Sequence, residues 1–295
     1  MRILVTGADG QIGAEIIRQS KDVGLEAVGT SRKQLDITNI ESVEKYINFL
    51  KPICVVNTAA YTKVDEAEEK VELAYAVNQI GVRNLAIVCQ KLHILLVHIS
   101  TDYVFDGLKK SPYTESDRTN PICVYGESKR AGEKEIEELL EKYLIIRTSW
   151  VFSGNGKNFF DSILQKAKNR EKIRVVNDQV GTPTSARSVA NYIVEVLNRY
   201  FKSDVESGIY HFAGRPSVSW FEFAEAIIFE ASALGLIEPT EVSPLSSKDY
   251  KTLASRPKNS RLESNKNLIS CESLYQDWQL ELRFLLNQYL DVSNT

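Results

Sequence analysis

Tyr125 stands four residues ahead of Lys129 in "VYGESK", shortly after Pro121. If a helix runs from about Tyr125, this spacing puts both side chains on one face. An ammonium beside a phenol favours the phenolate, and so draws the phenol's pKa down from its ordinary value of about 10. Such a phenol can protonate the alkoxide that forms when a carbonyl accepts hydride. With 13 tyrosines in the chain, about one such pair arises by chance, so the surroundings must supply the meaning.

Two strands flank this pair. "ILLVHIS" (Ile94 to Ser100) continues into Thr101, Asp102 and Tyr103, and "YLIIRT" (Tyr143 to Thr148) leads to Trp150. In an open α/β sheet the ligand crevice lies outside the carboxyl ends of the strands. Thr101, Asp102, Tyr103 and Trp150 therefore meet Tyr125 and Lys129 in one place. The Thr101 hydroxyl can donate to the same carbonyl oxygen and share its developing charge.

The elements that must position these groups alternate through the first half of the chain. "RILVT" (Arg2 to Thr6), "LEAVGT" (Leu25 to Thr30) and "ICVVN" (Ile53 to Asn57) precede the two strands above. Helical periodicity lies between them, as in Val71, Ala74, Val77, Val82, Leu85 and Val88. Near-continuous apolar strands separated by amphipathic helices make a parallel sheet covered on both faces, a Rossmann-type doubly wound α/β fold. Beyond Val151 the regularity loosens. "SGNGKN" reads as a loop, "IRVV" as a strand, Ser185 to Phe201 as a helix and "GIYHFAG" as a strand. Trp220 to Leu234 reads as a further helix, and a terminal helix spans about Leu274 to Leu290. The expected division is a dinucleotide-binding domain over 1–152 with 173–212 returning to it, and a smaller C-terminal substrate-binding lobe from 153–172 and 213–295.

"TGADGQIG" places Gly7, Gly10 and Gly13 between the first strand and the first helix, which opens at Gln11 and Ile12. Glycines there allow a tight turn and close approach of backbone to a pyrophosphate, and the helix N-terminus aims N–H groups at the anion. The second strand ends "GTSR", without the acid that usually binds a ribose 2′-hydroxyl. Ser31 and Arg32 suit a 2′-phosphate instead, so NADPH is expected, with NADH as the alternative. Asp36 and Ile37 fall where the chain leaving strand two could border an adenine.

Composition narrows the remaining classes. A net charge of -3 lacks the basic footprint of nucleic-acid binding. No apolar run reads as a membrane span or signal peptide, so a cytoplasmic location is expected. Cys54, Cys89, Cys123 and Cys271 have no zinc spacing and read as reduced residues. The three histidines, His93, His98 and His211, each sit near a strand and read as core or strand-end residues.

Together "TGADGQIG", "NTAAYT", "STDYVFDG" and "YGESK" resemble the extended short-chain dehydrogenase/reductases, whose active site is Ser/Thr, Tyr and Lys. More narrowly, "VNTAAYTKVDEAE", "RTSWVF", "NDQVGTPT" and "RPKNSRL" are similar to the dTDP-4-dehydrorhamnose reductase branch, from Met1 to about Leu290. This implies NADPH-dependent reduction of a 4-keto sugar nucleotide, a step toward dTDP-rhamnose and cell-surface polysaccharide. It implies Thr101, Tyr125 and Lys129 as the catalytic set, with Lys129 also on the nicotinamide ribose. Ala59, Ala60 and Tyr61 are implied as cofactor contacts, and Asp102, Tyr103 and Trp150 as facing the sugar. Asn158, Arg256, Asn259 and Arg261 would hold the nucleotide diphosphate, for which arginine is chemically suited.

One departure bears on metal. Some members bind magnesium through glutamates at a dimer contact; Glu15 matches one, but Arg187 and Gln288 replace the others. One carboxylate is a poor magnesium site, so no metal is expected, and the same departures weaken any transfer of that dimer mode. Monomer and homodimer both stay open. Two other functions remain. A nucleotide-sugar epimerase or dehydratase shares the Tyr-Lys pair, although Thr101-Asp102-Tyr103 lacks the glutamate that dehydratases carry. A non-catalytic regulatory subunit resembling the methionine adenosyltransferase β-subunit would bind NADP without turning over a sugar.

Overall fold

A computed structural model of the chain describes residues 1–202, 205–263 and 277–293, with the side chains of 291–293 left out. Cys271 and Leu274 lie outside the described residues.

The first half alternates as its periodicity demands. Strand β1 (Arg2–Thr6) leads through helix α1 (Gln11–Ser20) to β2 (Glu26–Thr30), then through α2 (Ile40–Leu50) to β3 (Cys54–Asn57). Short helices α3 (Val64–Glu69) and α4 (Val71–Tyr75), a π-helical turn (Ala76–Gly81) and α5 (Val82–Leu92) precede β4 (Leu95–Thr101). Helix α6 (Val124–Leu139) connects β4 to β5 (Tyr143–Thr148). Six parallel strands pair in the order β2-β1-β3-β4-β5-β10, where β10 is Gly208–His211. The winding reverses beside β1, which puts the topological switch point, and the crevice it opens, at the carboxyl ends of β1 and β3.

Alternate residues of each strand serve opposite faces. Ile3, Val5, Val56, Val97, Ile99 and Ile146 enter one core with Val189, Ile193 and Leu197 of α8 (Ala186–Tyr200). Leu4, Val55, Leu96 and Ile145 enter another with Val43 and Ile47 of α2 and Val82 and Leu85 of α5. This period of two explains the unbroken apolar strands, since both faces are covered.

The expected helix through Val71 to Val88 is not uniform. It starts at Val71, widens into the π-helical turn and resumes at Val82. Val77 and Val82 are five residues apart, one π-helical repeat rather than an α-helical one. Asn78, buried in that turn, takes the Tyr61 N–H on Oδ1 at 2.8 Å. Its Nδ2 donates to Tyr61 O and to Ser128 Oγ, both at 3.0 Å.

A third core forms beyond β6 (Val151–Phe152), from α7 (Phe159–Lys168), β7 (Ile173–Val176), α9 (Trp220–Ala233) and α10 (Trp278–Ser293). Between these lie β8 (Val180–Gly181), β9 (Thr184–Ser185) and β11 (Val218–Ser219); β6 pairs with β9 and β8 with β11. The expected grouping of residues 173–212 with the sheet domain needs correction at its start. Ile173–Val176 pairs with β12 (Val242–Leu245) and packs in the third core, whereas α8 and β10 cover and extend the main sheet. Among the described residues no helix is long and apolar enough to cross a membrane.

Candidate active site

The glycine turn sits at the floor of a cleft of about 610 Å³, where Asp9, Gly10, Gln11 and Ile12 form one wall. Gly7 has φ +69°, and a Cβ there would lie 2.6 Å from the Ala59 nitrogen, so only glycine brings β1 this close to the end of β3. Helix α1 has no side-chain cap and no acid in its first turn, which leaves its N-terminal N–H groups available for an anion. Gln11 Oε1 accepts from Ser153 Oγ at 2.8 Å and from Asn158 Nδ2 at 3.0 Å. One carboxamide therefore joins the turn to the loop before α7.

At the end of β2, Arg32 is 71% exposed, with Nε 3.7 Å from Asp36 Oδ2. Ser31 donates its N–H and hydroxyl to Gln34 Oε1. Burial pushes the Asp36 carboxyl up, but hydrogen bonds from Thr38 and the Arg32 charge outweigh it and hold the pKa below the usual range. Ile37 is turned away: its side chain is buried in the core against Gly81 rather than facing the cleft. In "NTAAYT", Thr58, Ala60 and Thr62 reach the cleft wall. Ala59 packs under Gly7, and Tyr61 packs in a small cluster with Ala67, Ala74 and Tyr125.

Thr101, Tyr125 and Lys129 all line this cleft, with Asp102, Tyr103 and Trp150. Helix α6 starts at Val124, whose N–H is taken by Glu68 Oε1 at 2.9 Å in place of a side-chain N-cap. Its first turn presses on the turn after β4. A Cβ at Gly126 would come 2.2 Å from Tyr103 O, so glycine lets the tyrosine-bearing turn approach Thr101. Tyr103 meets the Tyr125 ring edge to face, centroids 5.5 Å apart.

The electrostatics correct one expectation. Burial raises the Tyr125 phenol above its ordinary pKa, and a side-chain hydrogen bond with Thr101 offsets only part of this. The expected downward pull from Lys129 is missing because its Nζ turns to β4. It donates to Ile99 O at 2.6 Å and lies 3.2 Å from His98 Nε2. Burial lowers Lys129 to about 8, against an opposing pull from Glu133 one turn along. Asp102 is pushed up to about 6 by burial, even though Thr101 donates to its Oδ1 at 3.0 Å. Its Oδ2 finds no partner among the described residues.

Trp150 adopts the left-handed φ of 46°, uncommon for a bulky residue. The pose is held by its Nε1 donating to Ser260 Oγ at 3.2 Å and by its ring stacking on Trp220. Trp220 in turn touches Phe159, centroids 4.5 Å apart. Sequence reasoning missed both Trp220 and Phe159. The capping box Ser219–Glu222 marks where α9 begins, but not where its first ring points. Arg256 also lines the cleft, paired to Asp65 at 2.7 Å, and its buried Nε finds no partner among the described residues.

The structure does not bring the other expected substrate contacts fully into the cleft. Asn158 lines it, but caps α7 through Oδ1 and binds Gln11 and Ser153 O through Nδ2. Asn259 donates to Lys109 O and Ser111 O and takes Arg261 Nε at 2.8 Å. Arg261 also donates to Lys110 O. These two residues close a loop instead of lining the cleft.

Glu15, Arg187 and Gln288 border a separate cavity of about 310 Å³. There Glu15 pairs with Arg18, while Arg187 pairs with Glu281 at 3.1 Å and lies over the Phe284 ring. Among the described residues no group of three or more His, Cys, Asp or Glu is placed to hold a metal ion.

Comparison with known proteins adds a second line. The family model described as "RmlD substrate binding domain" matches residues 1–291. The dTDP-4-dehydrorhamnose reductase of Aggregatibacter actinomycetemcomitans is 42% identical over 285 residues, 96% of this chain and 97% of that protein. A crystal structure of a dTDP-4-dehydrorhamnose reductase from Clostridium acetobutylicum superposes with TM-score 0.90 at 37% identity, over 98% of this chain and 100% of that one. The Bacillus anthracis dTDP-4-dehydrorhamnose reductase, solved in complex with NADP, gives TM-score 0.88 at 36% identity, over 97% and 99%.

Proposed function

The chain belongs to the RmlD substrate binding domain family, and from that premise we propose that it reduces the 4-keto group of a dTDP-4-keto-6-deoxy sugar. The reaction takes dTDP-4-dehydrorhamnose to dTDP-L-rhamnose with NADPH as reductant. The single observation that carries this reading is the gathering of Thr101, Tyr125 and Lys129 in one cleft beside the glycine turn, in a chain similar to such reductases over nearly its whole length.

The residues present fit a dinucleotide. The Gly7 turn leaves no room for a side chain, and the uncapped start of α1 offers N–H groups to a pyrophosphate. Arg32, exposed at the end of β2, suits a 2′-phosphate. When bound, the reduced nicotinamide supplies the hydride that converts the ketone carbon to an alcohol carbon.

The chain's own residues do the rest. Tyr125 gives its phenolic proton to the oxygen that becomes the hydroxyl. Its raised pKa keeps that proton on the phenol until an alkoxide is there to take it. Thr101 shares the charge on that oxygen, and Lys129, charged below about pH 8, is the cation one turn along α6 in the same cleft. Asp102 and Tyr103 border the sugar. Trp150, braced by Trp220, faces the sugar with them and Arg256 takes the nucleotide end, so the lobe built around the third core holds the substrate. The enzyme works in the cytoplasm, as a monomer or homodimer.

The test mixes the protein with a dTDP-4-keto-6-deoxy sugar carrying the epimerised centres and follows NADPH absorbance. The expected result is one NADPH oxidised per sugar reduced. Epimerised sugar without net NADPH consumption would point to an epimerase. A stoichiometric enzyme partner in a pull-down, with no sugar turnover, would point to a regulatory subunit.

A further inference from the structure

His98 lies on β4 and is fully buried behind the cleft. The hydrogen bonds around it fix where its proton sits. Asn57 Oδ1 accepts the Ala59 N–H at 3.2 Å and the Thr6 hydroxyl at 2.6 Å. A backbone N–H can only donate, so this end of the carboxamide must be the oxygen. The other end, Nδ2, therefore donates to His98 Nδ1 at 2.9 Å. A neutral imidazole whose Nδ1 accepts carries its hydrogen on Nε2. That nitrogen lies 3.2 Å from Lys129 Nζ, which already donates to Ile99 O at 2.6 Å.

We infer that His98 is a positioning residue for Lys129, locked by Asn57 as the Nε2–H tautomer so that it offers the lysine nitrogen a donor and no acceptor. An ammonium has no lone pair to meet that N–H; a neutral amine has one, and can still donate to Ile99 O. The arrangement therefore weakens the hold of Lys129 on its proton. Burial and the Lys129 charge both disfavour protonation of the ring, in keeping with a neutral His98. The titratable group acting on Lys129 from α6 is Glu133, while Tyr125 stands one turn back on that helix and lines the same cleft. Arg147 of β5 acts on it only through its ion pair with Glu133 at 2.7 Å, and Asn57 of β3 and Thr6 of β1 are neutral.

The consequence for catalysis rests on the reductase reading above. Once Tyr125 has given its proton to the alkoxide, its phenolate is restored by a proton that the Lys129 ammonium releases into the cleft they share, and the amine regains one from solvent. A lysine held by a donor releases that proton more readily than one held by an acceptor.

Two measurements on the full chain test the inference. In ¹⁵N spectra of the histidine rings, His98, identified by the signal lost in His98→Gln, is expected as the neutral Nε2–H tautomer from about pH 6 to about pH 8. In Asn57→Asp the carboxylate can only accept, and the ring is expected to switch to Nδ1–H. A wild-type ring found as Nδ1–H or doubly protonated would overturn the inference, whether or not the protein turns over a sugar. In His98→Gln the side-chain oxygen can face the ammonium. The alkaline limb of kcat/KM for ketosugar reduction is then expected to rise by about one pH unit, the size of one hydrogen bond to a charged group. A limb that stays put in a folded variant would also overturn it. Absence of any turnover in the wild type would count against the reductase reading alone, and leave the spectra to decide this one.

Discussion

Trp150 lies flat on Trp220, ring centroids 3.5 Å apart and planes 7° from parallel. The first residue follows the last strand before the lobe; the second opens α9 in the lobe's own core. The stack is a seam between the two parts of the cleft. The rings lie face to face with almost no offset, and an aromatic pair contributes at most about 0.5–1.5 kcal/mol beyond its buried area. Trp220→Leu is therefore expected to raise KM for the sugar nucleotide about two- to tenfold while KM for NADPH stays put. Steady-state kinetics with each substrate varied in turn would reveal it, and equal changes in both would remove the seam from substrate binding.

Tyr125→Phe removes the proton donor without changing the ring that packs against Tyr103. Turnover should fall by about two to four powers of ten, the usual worth of a general acid. Dinucleotide titration by fluorescence should be little altered. Near-normal turnover would take Tyr125 out of the mechanism.

Arg32 stands at the end of β2 with most of its surface exposed. Losing a charge-assisted bond to a 2′-phosphate costs about 1.5–3 kcal/mol, so Arg32→Glu should weaken NADPH by at least about tenfold. NADH should be much less affected. Equal losses for the two cofactors, measured side by side, would put the phosphate elsewhere.

Asp102 carries a stability signature. Burial raises its carboxyl to about 6 from a reference of 3.8, so between these values the folded state holds a proton that the unfolded chain has released. Stability attributable to Asp102 therefore falls as pH rises through that window, by an amount on the order of 1–3 kcal/mol. Asp102→Asn should flatten the dependence, and denaturant unfolding at about pH 4 and about pH 7 would show it. The same pH slope in variant and wild type would contradict the assignment.

Arg187 already places a guanidinium on Glu281, in the cavity that Glu15 and Gln288 border. Activity after dialysis against EDTA should match the untreated enzyme. Loss of activity that magnesium restores would refute this.

The sheet was legible because each of its strands is an apolar run whose alternate residues serve two covered faces, as Ile3 and Leu4 do. The Tyr125–Lys129 pair was legible because helical spacing is local. Where Lys129 points was not, since that is decided by Ile99 O and His98 on a strand some thirty residues away in sequence. Trp220 escaped for a similar reason: Ser219 and Glu222 announce a helix start, but only tertiary packing sets its first ring against Trp150. Asn259 and Arg261 look like ligand contacts in a polar stretch, yet the loop's own carbonyls satisfy them first. The pairing of β7 with β12 joins segments too far apart in sequence for any local pattern to announce.

The widened turn at Ala76–Gly81 has an implication for anyone redesigning this chain. Each residue of an α-helix advances the face by about 100°, so tidying that turn into ordinary helix would swing either Ala74 or Val82 out of its core. It would also pull the Asn78 carboxamide off Tyr61 and Ser128, untethering the loop after β3 from the helix that carries Tyr125. An edit meant to improve local regularity would be felt first as misalignment of the proton donor.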